Sequence, residues 1–411
     1  MNTFGRRFTW VLAGSGFYAT AQLVTTIALT RLGGPRVVGD YGLAQAVIAP
    51  LFMLAHLELR RVFATDVDHR FELGDGLRLQ LVAGCLAIGV AMIAGALWLR
   101  EDAGLLLAVG AKKLLESLGE VTFGAFQRLH REGRIAASLA LRAAADVGLV
   151  LTVYTITENL TLAILAAGAA SALVLIVHDL PAAEAGAPGT VSGASRWRAM
   201  VGLGAYSAPA GVTAMLTSLN SNIPRYFVER YHGRTALGYF VPLLQLLQIG
   251  VFVNAALSQA ALPALAEKYR HGAREFRRAL TGLCLVQFAV QAVPLALMAM
   301  FGGRILAFVY QPEYAAYAGV SVLLFAAGAV RAITAGLAAA QTVLAILPKE
   351  TATTGVSLVA TLIFCALLIP QFALVGAATA LLIAAVVNVM LNARSVVASL
   401  VAEPTDTGRR P

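Results

Sequence analysis

Apolar runs of about 20 residues, separated by short polar turns, recur along the whole chain, and this recurrence leaves few possible folds. At ~1.5 Å per residue, ~20 helical residues cross the hydrocarbon core of a bilayer. Backbone amides there must be satisfied within the chain, which favours helices. Twelve such runs are read, at 8–32, 40–59, 77–99, 103–126, 136–157, 160–179, 199–222, 236–262, 279–302, 315–342, 352–370 and 373–397. Composition agrees: of 411 residues 59% are hydrophobic and only 13% charged, with a mean hydropathy of +0.76. A soluble chain carries about twice that charge fraction. The expectation is an all-α polytopic membrane protein, with no stretch polar enough to form a soluble domain.

The longest break, 181–198, is rich in Ala, Gly, Pro and Ser and reads as a linker. It divides the chain into an N-terminal six-helix lobe, 1–180, and a C-terminal six-helix lobe, 199–411. Most of the 31 Lys and Arg fall on the side that holds the N-terminus, among them Arg6, Arg7, Arg60, Arg61, Arg270 and Arg278; Arg31, Arg36, Arg225 and Arg234 are among the few on the other. The excess of positive charge on one side sets both termini and the linker in the cytoplasm. Arg6 and Arg7 then hold an uncleaved first helix. The halves also echo one another: Gly39-Asp40-Tyr41 opens the second run and Leu237-Gly238-Tyr239 the eighth, with Arg31 and Arg225 before them. Six runs per half would make this a parallel repeat.

Several runs are not plain hydrocarbon. In the first, Ser15, Tyr18, Gln22 and Thr25 recur at helical spacing and form a polar stripe, which faces protein or water rather than lipid. In the fourth, Lys112, Glu116 and Glu120 share a face with Lys113 beside them, and the fifth supplies Arg142 and Asp146. Counted inward at ~1.5 Å per residue, Glu120 and Arg142 lie about 9 Å deep, and Glu116 and Asp146 about 15 Å. This predicts Glu120 paired with Arg142, and Asp146 paired with Lys112 or Lys113. Such a set is either a structural ion-pair cluster or a network for coupling or substrate. Arg331 has no acid in its own run, so it needs a water-filled cavity, an anion, backbone carbonyls or Asp146. The seventh run carries Thr213, Thr217 and Asn220 on one face, and the eighth Gln245, Gln248, Asn254 and Gln259. Hydroxyls and amides suit sugar hydroxyls, but they also bond helices together. Pro50, Pro209, Pro242 and Pro294 are expected to kink their helices.

Other chemistries lack their residues. There is no GxxxxGK[ST] loop for an ATPase and no metal-ligand cluster, and Cys85, Cys284 and Cys365 sit singly in apolar runs. No cofactor is expected. The net charge of +9 follows from topology and implies no nucleic acid partner.

Three stretches resemble a known family: Ala28-Leu29-Thr30-Arg31-Leu32-Gly33-Gly34, Val38-Gly39-Asp40-Tyr41-Gly42-Leu43-Ala44, and Leu57-Glu58-Leu59-Arg60-Arg61-Val62-Phe63-Ala64-Thr65-Asp66. They resemble the opening of the polysaccharide-type (Wzx-like) flippases of the multidrug/oligosaccharidyl-lipid/polysaccharide exporter superfamily. The resemblance implies two lobes around a central cavity that opens to each side in turn. It also implies an undecaprenyl-pyrophosphate-linked oligosaccharide moved from the inner to the outer leaflet of the bacterial cytoplasmic membrane. Arg31, Arg60 and Arg225 fall on the matching helix ends, which makes them candidate contacts beside Arg331 and the polar residues Tyr18, Gln22, Thr213, Asn220, Gln245 and Gln248. The partners expected are the lipid-linked glycan, membrane lipids and other polysaccharide-assembly membrane proteins; the sequence leaves the coupling ion, H+ or Na+, open. A drug/cation antiporter of the same superfamily is the first rival, although the interiors of runs one, two, seven and eight hold no acid. A membrane polysaccharide ligase or polymerase is the second, and it would need a large external loop with catalytic groups.

Overall fold

A computed structural model of the chain describes residues 3–66, 71–99, 103–184, 196–344 and 347–402. Every regular element among them is a helix: α1 (Thr3–His56), α2 (Leu59–Thr65), α3 (Leu73–Ala94), α4 (Ala103–Arg128), α5 (Glu132–Thr157), α6 (Leu160–Val174), α7 (Leu180–Glu184), α8 (Arg196–Arg270), α9 (Ala273–Val309), α10 (Ala318–Val343) and α11 (Leu347–Ala402). Wider turns at Gly95–Leu99 and Leu175–Asp179 extend α3 and α6, and a tighter one, Pro312–Tyr317, leads into α10. Of the expected linker, residues 185–195 lie outside the described residues; α7 and the start of α8 border them.

Eight helical stretches are long and apolar enough to cross a membrane, and three of these run to 53, 74 and 49 residues, well beyond one crossing. Each of the three is folded once: α1 at Gly34, α8 at Gly233 and α11 at Ala373. Each fold makes two passes of one helix. With the charged α4, the described residues supply the twelve passes read from the sequence. These folds fall at Gly34, Gly233 and Ala373 rather than at Pro50, Pro209, Pro242 or Pro294, where kinks were expected.

The first two folds are the same fold. Gly34 has φ 71° and ψ −177°, and Gly233 has φ 78° and ψ 179°. Only glycine adopts this region without strain. The two glycines stand 199 residues apart, as do Gly39 and Gly238, so the sequence echo is carried by the backbone. At that spacing the arginine in register with Arg31 is Arg230, not Arg225.

By packing, the chain forms two compact units. One comprises Met1–Arg225 with Arg234–Pro242, the other Tyr226–Gly233 with Leu243–Pro411. In the first, Leu59, Phe63, Leu73, Phe123, Phe126 and Leu203 are the centre of a buried cluster. In the second, Leu265, Phe276, Leu280, Leu337 and Val396 form another. The outward faces are hydrocarbon. On α3 and its extension, Leu86, Val90, Ile93 and Leu97 are 66%, 51%, 62% and 71% exposed at helical spacing. A stripe this apolar faces lipid.

Candidate functional site

The membrane-buried charges of the first unit form linked clusters. Lys112 Nζ on α4 donates to Asp146 Oδ2 on α5 at 2.7 Å and lies 3.3 Å from Glu116 Oε1 one turn along its own helix. Lys113 Nζ donates to Glu116 Oε2 at 3.1 Å, and the Tyr18 hydroxyl on α1 donates to Glu116 Oε1 at 2.9 Å. Helical spacing sets Lys112 and Glu116 on one face, and that face is where α1 and α5 supply partners. The Asp146–Lys112 pair expected from depth is present. Asp146 Oδ1, by contrast, is buried with no hydrogen-bond partner among the described residues. Two lysines and two carboxylates leave this group neutral overall, which suits a low-dielectric site.

The expected pairing of Glu120 with Arg142 does not occur. Arg142 Nη2 instead donates to Asp179 Oδ2 at 2.8 Å, with side-chain exposures of only 3% and 0%. Ser138 Oγ donates to the same carboxylate oxygen at 3.0 Å, and His178 Nδ1 lies 2.9 Å from the other. Gly119 makes room for the guanidinium: a side chain there would collide with Arg142. Depth counting considered only charges in the fourth and fifth runs. Asp179, an acid at the end of the sixth, was the signal passed over.

Glu120 is paired with Arg60, whose Nη1 donates to it at 2.8 Å. Arg60 also lies 3.3 Å from Gln127 Oε1, with its guanidinium 5.6 Å from the centre of the Phe123 ring. Asp66 accepts from the Phe71 amide at 3.0 Å and lies 3.9 Å from Arg128. Arg60 and Asp66 of the third matching stretch therefore tie α2 to α4.

The other candidates are dispersed. Gln22 is exposed on α1. Thr213 Oγ1 bonds back to the Pro209 carbonyl at 3.1 Å. Arg31 is exposed, whereas Arg225 and Asn220 are partly buried, and none of the three is without an interaction partner. Gln245 and Gln248 lie in the second unit, Gln248 exposed. Arg331 also belongs to the second unit, exposed halfway along α10, between the buried Ala329 and Ala332. It makes no hydrogen bond or ion pair with any described residue. Nearby, Gly328 lies against Leu247 and the Gln291 amide.

A close helix contact within the first unit was missed from sequence. Gly39 lies against the Arg234 backbone, Gly238 against that of Pro35, and Gly42 against the Val241 side chain. Arg234 Nη1 donates to Asp40 Oδ1 at 2.8 Å across the same place. At the 199-residue spacing, Arg234 corresponds to Pro35 and Val241 to Gly42, so the contact is reciprocal.

No family model matches the chain. It is 22% identical over 377 residues to the capsular polysaccharide biosynthesis protein CapF of Staphylococcus aureus, covering 91% of this chain and 94% of that protein. Its fold matches the lipid II flippase MurJ in an inward closed conformation with a TM-score of 0.71 at 9% identity, over 94% of this chain and 88% of that one. It also matches an inward-facing multidrug resistance MATE transporter of the MOP superfamily, with a TM-score of 0.62 at 14% identity, over 97% and 96%. The resemblance read from the opening of the chain is borne out.

Proposed function

We propose that this chain, a multi-pass membrane protein of the polysaccharide-type exporter kind, flips a lipid-linked oligosaccharide between leaflets. The cargo is of the undecaprenyl-pyrophosphate type, moved from the inner to the outer leaflet of the bacterial cytoplasmic membrane for surface polysaccharide assembly. The observation that carries this reading is the similarity to a capsular polysaccharide biosynthesis protein over nearly both full lengths, on a fold shared with a lipid II flippase. Both termini are cytoplasmic, in keeping with the charge asymmetry of the loops.

Physics assigns the parts. An exposed arginine midway along a membrane helix faces either lipid or water, and facing lipid costs ~2.5–3.5 kcal/mol or more. Arg331 therefore lines a hydrated path, where its guanidinium holds a phosphate through two parallel hydrogen bonds. The hydroxyls and amides of Tyr18, Gln22, Thr213, Asn220, Gln245 and Gln248 serve the glycan. The polyprenyl tail stays in the bilayer, and rocking of the two six-helix lobes exchanges access. Asp146, with one carboxylate oxygen unpartnered beside Lys112, is the place for a coupling H+ or Na+. That oxygen, together with the MATE likeness, is also what favours the alternative of a drug/cation antiporter.

The test is flipping of a fluorescent polyprenyl-pyrophosphate-linked glycan by the purified chain in proteoliposomes. Protein-dependent transfer is expected. Absence of transfer, together with ion-driven efflux of cationic dyes from the same vesicles, would replace this reading by the antiporter.

A further inference from the structure

The corner between α8 and α9 concentrates positive charge. Lys268, Arg270, Arg274, Arg277 and Arg278 lie between positions 268 and 278, and all five are exposed. None of the five side chains makes a hydrogen bond or ion pair with a described residue. The only acids in the stretch 267–278, Glu267 and Glu275, are exposed as well. The corner itself is firmly seated. Phe276 is fully buried, the Tyr269 and Phe276 rings meet edge-on at 5.4 Å, and Leu265 and Leu280 pack beneath them.

Its depth is marked by α9. The outward face that carries Arg274, Arg277 and Arg278 turns apolar at Leu285 and Phe288, which are 63% and 39% exposed. From Arg278 to Leu285 is about 10 Å along a helix. A change from guanidinium to exposed hydrocarbon over that length matches the layer of lipid headgroups at the edge of the hydrocarbon core. Like charges crowded here repel one another, and the three arginines in the first turns of α9 also oppose its positive end. A phosphate relieves both repulsions at once. Water and counterions alone leave five cations without a fixed partner on a rigid surface.

We propose that the α8–α9 corner is a docking surface for anionic phospholipid headgroups, with Arg274, Arg277 and Arg278 holding the phosphate and Lys268 and Arg270 adding charge from the end of α8. Binding is to lipids of the bilayer, not to transported cargo, and it stands or falls apart from the transport reading. Each basic residue at a membrane surface contributes about a fivefold gain in affinity for anionic lipid.

The experiment is native mass spectrometry of the full chain in detergent, titrated with phosphatidylglycerol or phosphatidylcholine. The wild type is expected to retain phosphatidylglycerol preferentially, and less so as salt rises. The Arg274→Gln/Arg277→Gln/Arg278→Gln variant is expected to lose about fivefold in apparent affinity for each arginine removed. The corresponding lysine variant should keep most of the preference. Should the glutamine variant fail to fold, Lys268→Gln/Arg270→Gln reads the same surface. Equal retention of the two lipids by the wild type, or an unchanged preference in the folded glutamine variants, overturns the proposal and leaves these cations a role in orienting the chain alone.

Discussion

Gly39 lies so close to the carbonyl of Arg234 that a side chain of any size would overlap it. Gly238 stands in the same relation to Pro35, and the Asp40–Arg234 ion pair closes over the contact at 2.8 Å. The pair itself is a quarter exposed on each side and contributes at most ~1 kcal/mol. The glycines matter more. Gly39→Val or Gly238→Val is expected to destabilise the folded protein by roughly 1–3 kcal/mol, the usual cost of overfilling a close contact. The two should be less than additive, because either change alone already parts the same helices. Thermal unfolding of the detergent-solubilised single and double variants measures this. Full additivity would mean that the two glycines serve separate contacts.

The Arg142–Asp179 pair lies within the helices and is almost wholly buried. Asp179→Ala leaves the guanidinium without its main partner and is expected to cost ~3–5 kcal/mol. Arg142→Ala should cost a similar amount, and the double variant little more than either. Glu120→Ala and Arg142→Ala should instead add, because Glu120 belongs to Arg60. The yield of folded protein and its unfolding temperature decide between these patterns.

How far these features were legible follows from where their causes lie. The twelve passes are written in the chain itself, as apolar length, and so were readable run by run. The fold at Gly34 lies in Gly33-Gly34-Pro35, in the break between the first and second runs, and its equivalent at Gly233 lies in the break between the seventh and eighth. At Ala373 the turning residue is not glycine, and alanine seldom takes the positive φ of 47° found there. The charges of α4 announced themselves, and counting depth found Lys112–Asp146. The same count failed for Arg142, since a depth constrains two helices only if they are neighbours at that level. The partner came from the end of α6, through the wider turn Leu175–Asp179. Arg60 was placed at a helix end by resemblance, and its bond to Glu120 could be seen only once α4 was laid beside α2.

The Lys112–Asp146 pair allows structure and function to be separated. Asp146→Asn leaves an excess of positive charge between Lys112 and Lys113, and Lys112→Met leaves Glu116 and Asp146 facing each other. Both single changes should lower the folded amount by several kcal/mol of stability. The double change Lys112→Met/Asp146→Leu removes both charges and fills the space, so its stability should lie near that of the wild type. Flipping per folded molecule then carries the information. A network used for coupling predicts a stable but inactive double variant, whereas a structural cluster predicts a stable and active one.

Arg331 is exposed in the middle of α10 and has no polar partner among the described residues. Arginine binds phosphate through a planar fork that an ammonium group cannot copy. Arg331→Lys is therefore expected to retain the charge but lose part of the flipping rate, and Arg331→Ala to lose more. Loss of the two-pronged contact at roughly 1.5–3 kcal/mol corresponds to a fall of about ten- to a hundredfold. Folded yield should change little in either variant, because no hydrogen bond to a described residue is broken, and Arg331→Ala also removes an exposed charge. An arginine needed for the fold would show the opposite order, with yield falling first and the rate per folded molecule unchanged. The measurement is transfer of a pyrophosphate-linked glycolipid in proteoliposomes, normalised to folded protein. Wild-type rates for Arg331→Ala would shift the phosphate contact to Lys112, Lys113 or the arginines at the helix ends.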